Sequence, residues 1–209
     1  MTEADEIVYV VDDDSAVRKG LARLLRSAGH QVTAFASAAE FLARDHHQGV
    51  GCIVLDVRMP GVDGLALQAN LAAQGVDLPI VFLTGHGDIP MSVKAMKQGA
   101  ADFLTKPVDE AVLLNAVRQA LLRHRSFQTE RREAQAVRAR VQSLTDRELK
   151  VLRWVISGAR NKQIAAHLGI AEQTVKIHRG RVMKKLGLST ATELVKACQQ
   201  AGIEPLTGL

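Results

Sequence analysis

Five short apolar runs alternate with helix-like stretches in the first 122 residues of the chain. The runs are IVYVV (7–11), QVTAFA (31–36), CIVLD (52–56), PIVFLT (79–84) and ADFLT (101–105). Strands that are apolar throughout must be covered on both faces, and a strand–helix alternation is typical of a parallel sheet. The pattern therefore predicts a doubly wound α/β fold with a five-stranded parallel sheet.

Carboxylates, a hydroxyl and an ammonium group stand where these strands end. They are Asp12, Asp13 and Asp14 after strand one, Asp56 at the end of strand three, Thr84 at the end of strand four and Lys106 after strand five. In a parallel sheet, ligands bind beyond the carboxyl ends of the strands. Several acids at one edge require a cation, and hard oxygen ligands suit Mg²⁺, which shares its coordination shell with a phosphate. We expect Asp14 to cap the first helix rather than to bind the metal.

The last 68 residues predict four short helices. Thr145 with Glu148, and Thr190 with Glu193, have the spacing of capping boxes, and Asn161 is predicted to cap the second helix. The short turn GIA between the second and third helices has helix-turn-helix spacing. We expect Trp154 to pack in the core of this small all-α domain.

The third of these helices is predicted to enter the major groove of DNA. Its polar and basic side chains, with one residue from the preceding helix, form the candidate DNA-binding set: Asn161, Thr174, Lys176, His178, Arg179 and Arg181. Asn161 and Thr174 are expected to reach phosphates, while Lys176 and Arg179 are expected to read bases. The position before this helix holds Ala171, which has no capping hydroxyl, and Gly180 lies within it.

Charge divides the chain into an acidic and a basic part. Residues 1–122 carry a net charge of −5, residues 123–140 of +4 and residues 141–209 of +6. A basic half is a candidate for binding a polyanion. We predict three segments: a domain over 1–122, a helical linker over 123–141 and a domain over 142–209. A seven-residue apolar repeat runs from the preceding helix through the linker and consists of Leu113, Ala120, Phe127, Ala134 and Val141. It leaves a coiled coil as the alternative to a solvent-exposed helix, but its second seam position is mostly charged or polar.

Several motifs together resemble a known family. VVDDD, VLDVRMPGVDG, FLTGHGD and FLTKP resemble the receiver domain of bacterial two-component response regulators, and residues 144–188 resemble the LuxR-type helix-turn-helix. With GHGDIPMSVKAMKQGA after strand four, the combination resembles the FixJ branch of the FixJ/NarL family most. The resemblance implies a CheY-like (flavodoxin-like) receiver joined to a helix-turn-helix domain.

The resemblance also implies roles for single residues. Asp56 would be the phosphoacceptor, and Asp12, Asp13, Asp56 and the backbone carbonyl of Arg58 would hold Mg²⁺. Thr84 would hydrogen-bond the phosphoryl group and Lys106 would pair with it. Phe103 occupies the position of the family's switch aromatic, although a core phenylalanine at the end of an edge strand is the alternative. Arg58 and His86 occupy positions that tune the rates of phosphorylation and dephosphorylation.

By the same resemblance, the chain would be a cytoplasmic bacterial regulator that catalyses only its own phosphorylation and dephosphorylation. Its partners would be a cognate sensor histidine kinase, double-stranded promoter DNA, RNA polymerase and a second copy of itself. The copies would meet on phosphorylation through helix four and strand five, in the region Met91–Phe103. No apolar run predicts a membrane helix.

Two alternatives remain open at the level of sequence. In the first, the chain binds DNA constitutively and its receiver is only a docking module. In the second, it is a phosphotransferase or phosphatase that acts on small substrates through an aspartyl intermediate. The complete set of Asp13, Asp56, Thr84 and Lys106 argues against the first, and the lack of a recognisable substrate-pocket element argues against the second.

Overall fold

The computed structural model describes residues 6–44, 49–85 and 89–206. The chain divides into two compact units, one up to Phe127 and the other from Gln128. The elements of the first unit are β1 (Glu6–Val11), α1 (Ser15–Ser27), β2 (Gln31–Phe35), α2 (Ala38–Leu42), β3 (Val50–Asp56), α3 (Gly64–Ala73), β4 (Ile80–Thr84), α4 (Ile89–Lys97), β5 (Asp102–Thr105) and the start of α5 (Glu110–Gln142). The second unit begins with the end of α5 and continues with α6 (Asp146–Ile156), α7 (Asn161–Leu168), α8 (Glu172–Leu186) and α9 (Ala191–Gln200).

The first unit is built on one five-stranded sheet with the order β2-β1-β3-β4-β5. Every pair of neighbouring strands is parallel. The predicted doubly wound fold is therefore confirmed. The chain continues from β1 to β2 on one side of the β1–β3 pair, and from β3 to β4 and β5 on the other side. Strands β1 and β3 therefore flank the point at which a ligand crevice opens beyond their carboxyl ends.

Alternate residues of each central strand supply the two cores on either side of the sheet. On β1, Val8 and Val10 face the core covered by α1 and α5, whereas Tyr9 and Val11 face the core covered by α2, α3 and α4. This alternation follows from the two-residue period of a strand. Every residue of β3 is buried, so the strand that ends at Asp56 is held from both faces.

The second unit is a small helical domain around an aliphatic core. Val151, Leu152, Val175, Leu186 and other apolar side chains of α6 to α9 meet there. Trp154 belongs to this core, as predicted, and its indole stacks on the imidazole of the exposed His167 with ring centroids 4.4 Å apart.

Most residues of α5 within the predicted linker are exposed, as predicted, but three are buried in the two units. Near one end of the predicted linker, His124 is buried, and its Nδ1 accepts a hydrogen bond of 3.0 Å from the backbone N–H of Gly51. At the other end, Val137 and Val141 are buried in the core of the second unit. The predicted exposure therefore holds for most of the linker and is wrong at His124, Val137 and Val141, while the limits of the three predicted segments stay predictions.

The caps of the short helices largely follow the sequence. The capping boxes predicted at Thr145 and Thr190 are present, and Asp14 caps α1 by accepting hydrogen bonds from the N–H groups of Ala16 and Val17. The predicted cap at Asn161 is wrong, because this residue is the first of α7 and follows the capping position. No helix of the described residues is long and apolar enough to cross a membrane.

Candidate functional site

Three carboxylates converge at the carboxyl edge of the sheet, between β1 and β3. The register pairs Val11 with Leu55, so Asp12 and Asp56 stand side by side at the ends of adjacent strands. Asp12 is 1% exposed and Asp56 7%, whereas Asp13 projects into solvent. One carboxylate oxygen from each of the three lies within 4.8 Å of the others.

Lys106 bridges two of these acids. Its Nζ lies 2.7 Å from Oδ2 of Asp12 and 2.9 Å from Oδ1 of Asp56. Strand β5 delivers the lysine to this position, since Thr105 pairs with Thr84 and the N–H of Lys106 donates to the carbonyl of Thr84 at 2.6 Å. The peptide bond from Lys106 to Pro107 is cis. The ammonium group partly neutralises a cluster that would otherwise repel itself.

The surroundings raise the pKa of both Asp56 and Lys106. Burial raises the pKa of Asp56, and the charges of Asp12 and Asp13 add to this effect, while the hydrogen bond from Lys106 opposes it. Burial works to lower the pKa of Lys106, but its hydrogen bonds to Asp12 and Asp56 outweigh burial and raise the pKa. Lys106 is therefore a fixed positive charge beside the candidate nucleophile.

The loop that carries Asp12 and Asp13 is held by a residue that sequence reasoning missed. Nη1 of Arg18, one turn into α1, donates to the backbone carbonyls of Asp12 at 2.6 Å and Asp13 at 3.1 Å. Oδ1 of Asp12 accepts from the N–H of Asp14 at 2.9 Å. The basic residue four positions after Asp14 was the one signal in the sequence, but it does not distinguish this role from an exposed helix charge.

The donor set fits a hard divalent cation. Carboxylate oxygens are the ligands that Mg²⁺ selects, and it retains several waters when few protein ligands are available. Asp13 faces solvent, and Asp12 and Asp56 line the edge from which a hydrated ion would approach. Arg58, whose carbonyl is predicted as a further ligand, lies in an exposed position two residues after Asp56.

Thr84 and Phe103 lie on β4 and β5, respectively. Leu83 pairs with Asp56, so Thr84 lies one residue further along the neighbouring strand, where it is fully buried. The ring of Phe103 is half-buried and tilted against that of Phe82, with centroids 6.0 Å apart. His86 lies outside the described residues.

The loop after Asp56 packs directly on the backbone of the strand. A Cβ on Gly64 would stand 2.6 Å from the carbonyl oxygen of Asp56, closer than side chains approach. Gly61 has a φ of 80°, a left-handed conformation that favours glycine. The two glycines therefore serve the local backbone, and Gly64 in particular allows α3 to start against the end of β3.

The candidate DNA-binding residues differ in how far they reach from the second unit. Lys176 and Arg181 are exposed, whereas Asn161, Thr174, His178 and Arg179 are half-buried. Nη1 of Arg179 donates to Oδ1 of Asn161 at 2.8 Å. Ile177 is 49% exposed beside Lys176, so one apolar side chain faces outward among these polar residues.

Comparison with known proteins decides the family. The model of the "Response regulator receiver domain" matches residues 8–118, and that of "Bacterial regulatory proteins, luxR family" matches residues 142–198. The chain belongs to the FixJ/NarL family of two-component response regulators.

Relatives match this response regulator over nearly its whole length. Nodulation protein W of Bradyrhizobium diazoefficiens is 46% identical over 94% of the chain and 87% of the relative. The transcriptional regulatory protein FixJ of Azorhizobium caulinodans is 45% identical over 95% of the chain and 94% of the relative. The solved structure of response regulator StyR is 47% identical, covers 93% of this chain and 98% of that one, and has a TM-score of 0.79. The response regulator thus combines a receiver domain with a LuxR-type DNA-binding domain.

Proposed function

We propose that a sensor histidine kinase phosphorylates this response regulator on Asp56, and that the phosphorylated chain dimerises and binds promoter DNA to regulate transcription. The observation that carries this proposal is the cluster of Asp12, Asp13 and Asp56 with Lys106 between two of them. The cluster joins a nucleophile, a cation site and a fixed positive charge at one edge of the sheet. The regulator would act in the bacterial cytoplasm, with RNA polymerase as a further partner.

Each residue of the site has a separate role in phosphoryl transfer. A carboxylate oxygen of Asp56 attacks phosphorus, an O–P bond forms, and the P–N bond of the donor phosphohistidine breaks with its electron pair going to the ring nitrogen. Lys106 offsets charge on the phosphoryl oxygens, and Thr84 donates a hydrogen bond to them. Asp12, Asp13, Asp56 and the carbonyl of Arg58 would hold Mg²⁺, which would supply further positive charge there when bound. Hydrolysis of the same bond returns Asp56 to its free form.

An apolar patch on α4 supports the dimerisation step. Ile89, Val93 and Met96 are exposed large hydrophobic residues, and Ile89 is 77% exposed. Together with β5, this helix carries the region Met91–Phe103 to which we assign the dimer contact. Movement of Thr84 towards a phosphoryl group, and of Phe103 behind it, would change the surface of this region.

The DNA-binding step rests on α8 and its neighbours. Lys176 and Arg181 are exposed on α8, where they can reach base edges or phosphates in a major groove. Thr174, His178, Arg179 and Asn161 complete the assigned set. Exposed Ile177 adds an apolar group of the kind that contacts thymine methyls.

Replacement of the phosphoacceptor tests the switch. With beryllofluoride and Mg²⁺, the wild-type chain is expected to dimerise in analytical ultracentrifugation and to shift a promoter fragment. Asp56→Asn is expected to do neither, since the amide is not the nucleophile and cannot carry the mimic. Asp14→Asn is the matched control, because Asp14 caps α1 outside the acidic cluster and an asparagine also caps. An Asp56→Asn variant that responds like wild type contradicts the proposal and favours constitutive DNA binding.

A further inference from the structure

A cleft in the DNA-binding unit is lined by several basic side chains. The cleft has a volume of about 590 Å³ and lies between the end of α6, the middle of α8 and the first turns of α9. Its lining includes Arg160, Arg179 and Lys196, from three different segments of the chain. Only Arg179 belongs to the DNA-binding set derived from the sequence.

Among the described residues, no carboxylate lines this cleft. Arg160 and Lys196 are exposed and form no ion pair with a described acid. A neighbouring cleft of the same unit differs, since Asp146 lines it together with Lys150 and Arg153. The cleft lined by Arg160, Arg179 and Lys196 therefore presents three basic side chains and no lining carboxylate, which suits an anionic ligand.

Arg179 is held towards this cleft by a neutral partner. Its Nη1 donates to Oδ1 of Asn161, and the half-buried side chain also borders a small void between Val151 and Leu194. An amide oxygen orients the guanidinium without neutralising it. The guanidinium therefore keeps its positive charge, and its other N–H groups can donate to a second acceptor. The first turn of α9 borders the same cleft through Ala191 and Thr192, and its N-terminal N–H groups at Ser189 and Thr190 already donate to the carboxylate of Glu193.

We propose that this cleft binds a phosphate of the DNA backbone beside the bases that α8 reads, and that Asn161 is a positioning residue for Arg179 in this contact. The inference rests on the proposed DNA-binding function and deepens it. It moves Arg179 from base reading to phosphate binding, and it adds Arg160 and Lys196 to the interface. The phosphodiester is the occupant because Arg179 lies three residues after Lys176 on the helix assigned to the groove.

The test measures how salt changes DNA affinity. The full-length chain with beryllofluoride and Mg²⁺ is bound to a duplex that the wild type selects from a random library, and to a scrambled duplex, between 0.05 and about 0.3 M salt. Each lost phosphate contact lowers the slope of log K against log salt by about 0.9, which is roughly eightfold in affinity at 0.1 M salt. Arg160→Gln and Lys196→Gln each remove one of the cations around the phosphate, so each is expected to lower the slope by up to this amount per bound subunit, equally on both duplexes.

Lys150→Gln is the matched control, because it removes one exposed charge of the same unit from the cleft that contains Asp146. It is expected to leave the slope unchanged. The unfolding of each variant, followed by the fluorescence of Trp154, checks that the unit is intact. Unchanged slopes for Arg160→Gln and Lys196→Gln, or losses on the selected duplex alone, overturn the inference.

A double-mutant cycle tests the role given to Asn161. Asn161→Ala is expected to weaken binding in the wild-type background and to have no further effect once Arg179→Gln is present. Additive losses contradict a positioning role and mean that Asn161 contacts DNA by itself. Inorganic phosphate, titrated into the free chain, distinguishes a site for free anions: binding below 1 mM with normal DNA slopes in the variants overturns the assignment to DNA. A wild-type chain that selects no duplex instead refutes the proposed function.

Discussion

The surroundings of Asp56 shift its pKa in opposite directions. Burial at the end of a fully covered strand raises its pKa, and the nearby acids act in the same sense, yet Lys106 donates to one of its oxygens. The carboxylate is therefore largely desolvated and is held in a fixed orientation, as the proposed role of nucleophile requires. The strand fixes its Cα, and the lysine fixes its side chain.

The contact between Gly64 and the carbonyl of Asp56 leads to a prediction about stability. Gly64→Ala is expected to destabilise the receiver by about 1–3 kcal/mol, because the added methyl meets backbone that cannot move without displacing Asp56. Gly20→Ala is the matched control within α1, where an added Cβ meets nothing within 4 Å and is expected to stabilise by up to about 1 kcal/mol. Hydrogen exchange of the β3 amides measures both effects. Equal protection in the two variants contradicts the packing argument.

The sequence predicts the members of the acidic site because strand ends determine their position. Once Asp12, Asp56, Thr84 and Lys106 follow the strands of a parallel sheet, the register alone brings them to one edge. Arg18 and the pair Asn161–Arg179 were not predictable in the same way. Their roles depend on where a long side chain turns after the elements have packed, and an exposed charge on a helix has the same sequence pattern.

Among the elements, α6 owes part of its stability to an ion pair at its first turn between the buried Glu148 and the exposed Lys185. Glu148 is buried, and its Oε2 accepts from Nζ of Lys185 at 2.7 Å and from the N–H of Thr145 at 2.9 Å. The bond from Lys185 is the main cause that lowers the pKa of Glu148 to about 2 from its ordinary value of 4.5. The capping box is therefore also a contact between α6 and the end of α8.

This shift predicts how the stability of the second unit depends on pH. A depressed carboxyl pKa stabilises the folded state above about pH 4.5, and the contribution is lost as the pH falls towards 2. The free energy of unfolding of wild type is expected to exceed that of Glu148→Gln by a constant amount from pH 5 to 7. The difference is expected to shrink below pH 4.5. Urea titrations followed by the fluorescence of Trp154, the one tryptophan, report this unit.

The control for this series is Glu172→Gln, which removes an exposed acid from the first turn of α8. It is expected to show a much smaller difference from wild type, with little pH dependence. A Glu148→Gln difference that grows in acid would mean that the ion pair does not carry the stabilisation.

The boundaries of the helices and strands were predictable to within a few residues, but the core into which each apolar residue packs was not. The apolar periods and caps locate the helices and strands, but α5 shows the limit of such patterns. Its seven-residue repeat joins Leu113, which packs on the sheet, to Val141, which packs in the helical unit. One spacing thus reflects two separate cores rather than a single coiled-coil seam, and local sequence carries no information on which core each residue joins.

For the whole molecule, the ends of α5 set how the chain can be divided into fragments. A fragment of residues 128–209 keeps Val137 and Val141 in its core, with Arg138 and Arg140 donating to the carbonyls of Ala201 and Leu186. A fragment of residues 142–209 loses all four. We expect the shorter fragment to be less stable by at least about 3 kcal/mol, since each buried valine contributes about 1.5 kcal/mol or more. Urea unfolding measured by Trp154 fluorescence compares the two.

Point variants of the longer fragment separate packing from length. Val137→Ala is expected to cost about 2 kcal/mol, while Gln135→Ala, at an exposed position of the same helix, is expected to cost nothing measurable. Equal stabilities of the two fragments would contradict the assignment of this end of α5 to the helical core.

The burial of both cysteines has a practical consequence for kinetics. Cys52 lies on β3 in the receiver and Cys198 on α9 in the helical unit, and neither has exposed surface. Burial raises the pKa of each thiol, so neither reacts while its unit stays closed. Alkylation of each cysteine, followed separately by mass spectrometry, therefore times the opening of one unit without interference from the other. The alkylation rate of Cys52 thus reports opening of the receiver, and that of Cys198 reports opening of the helical unit.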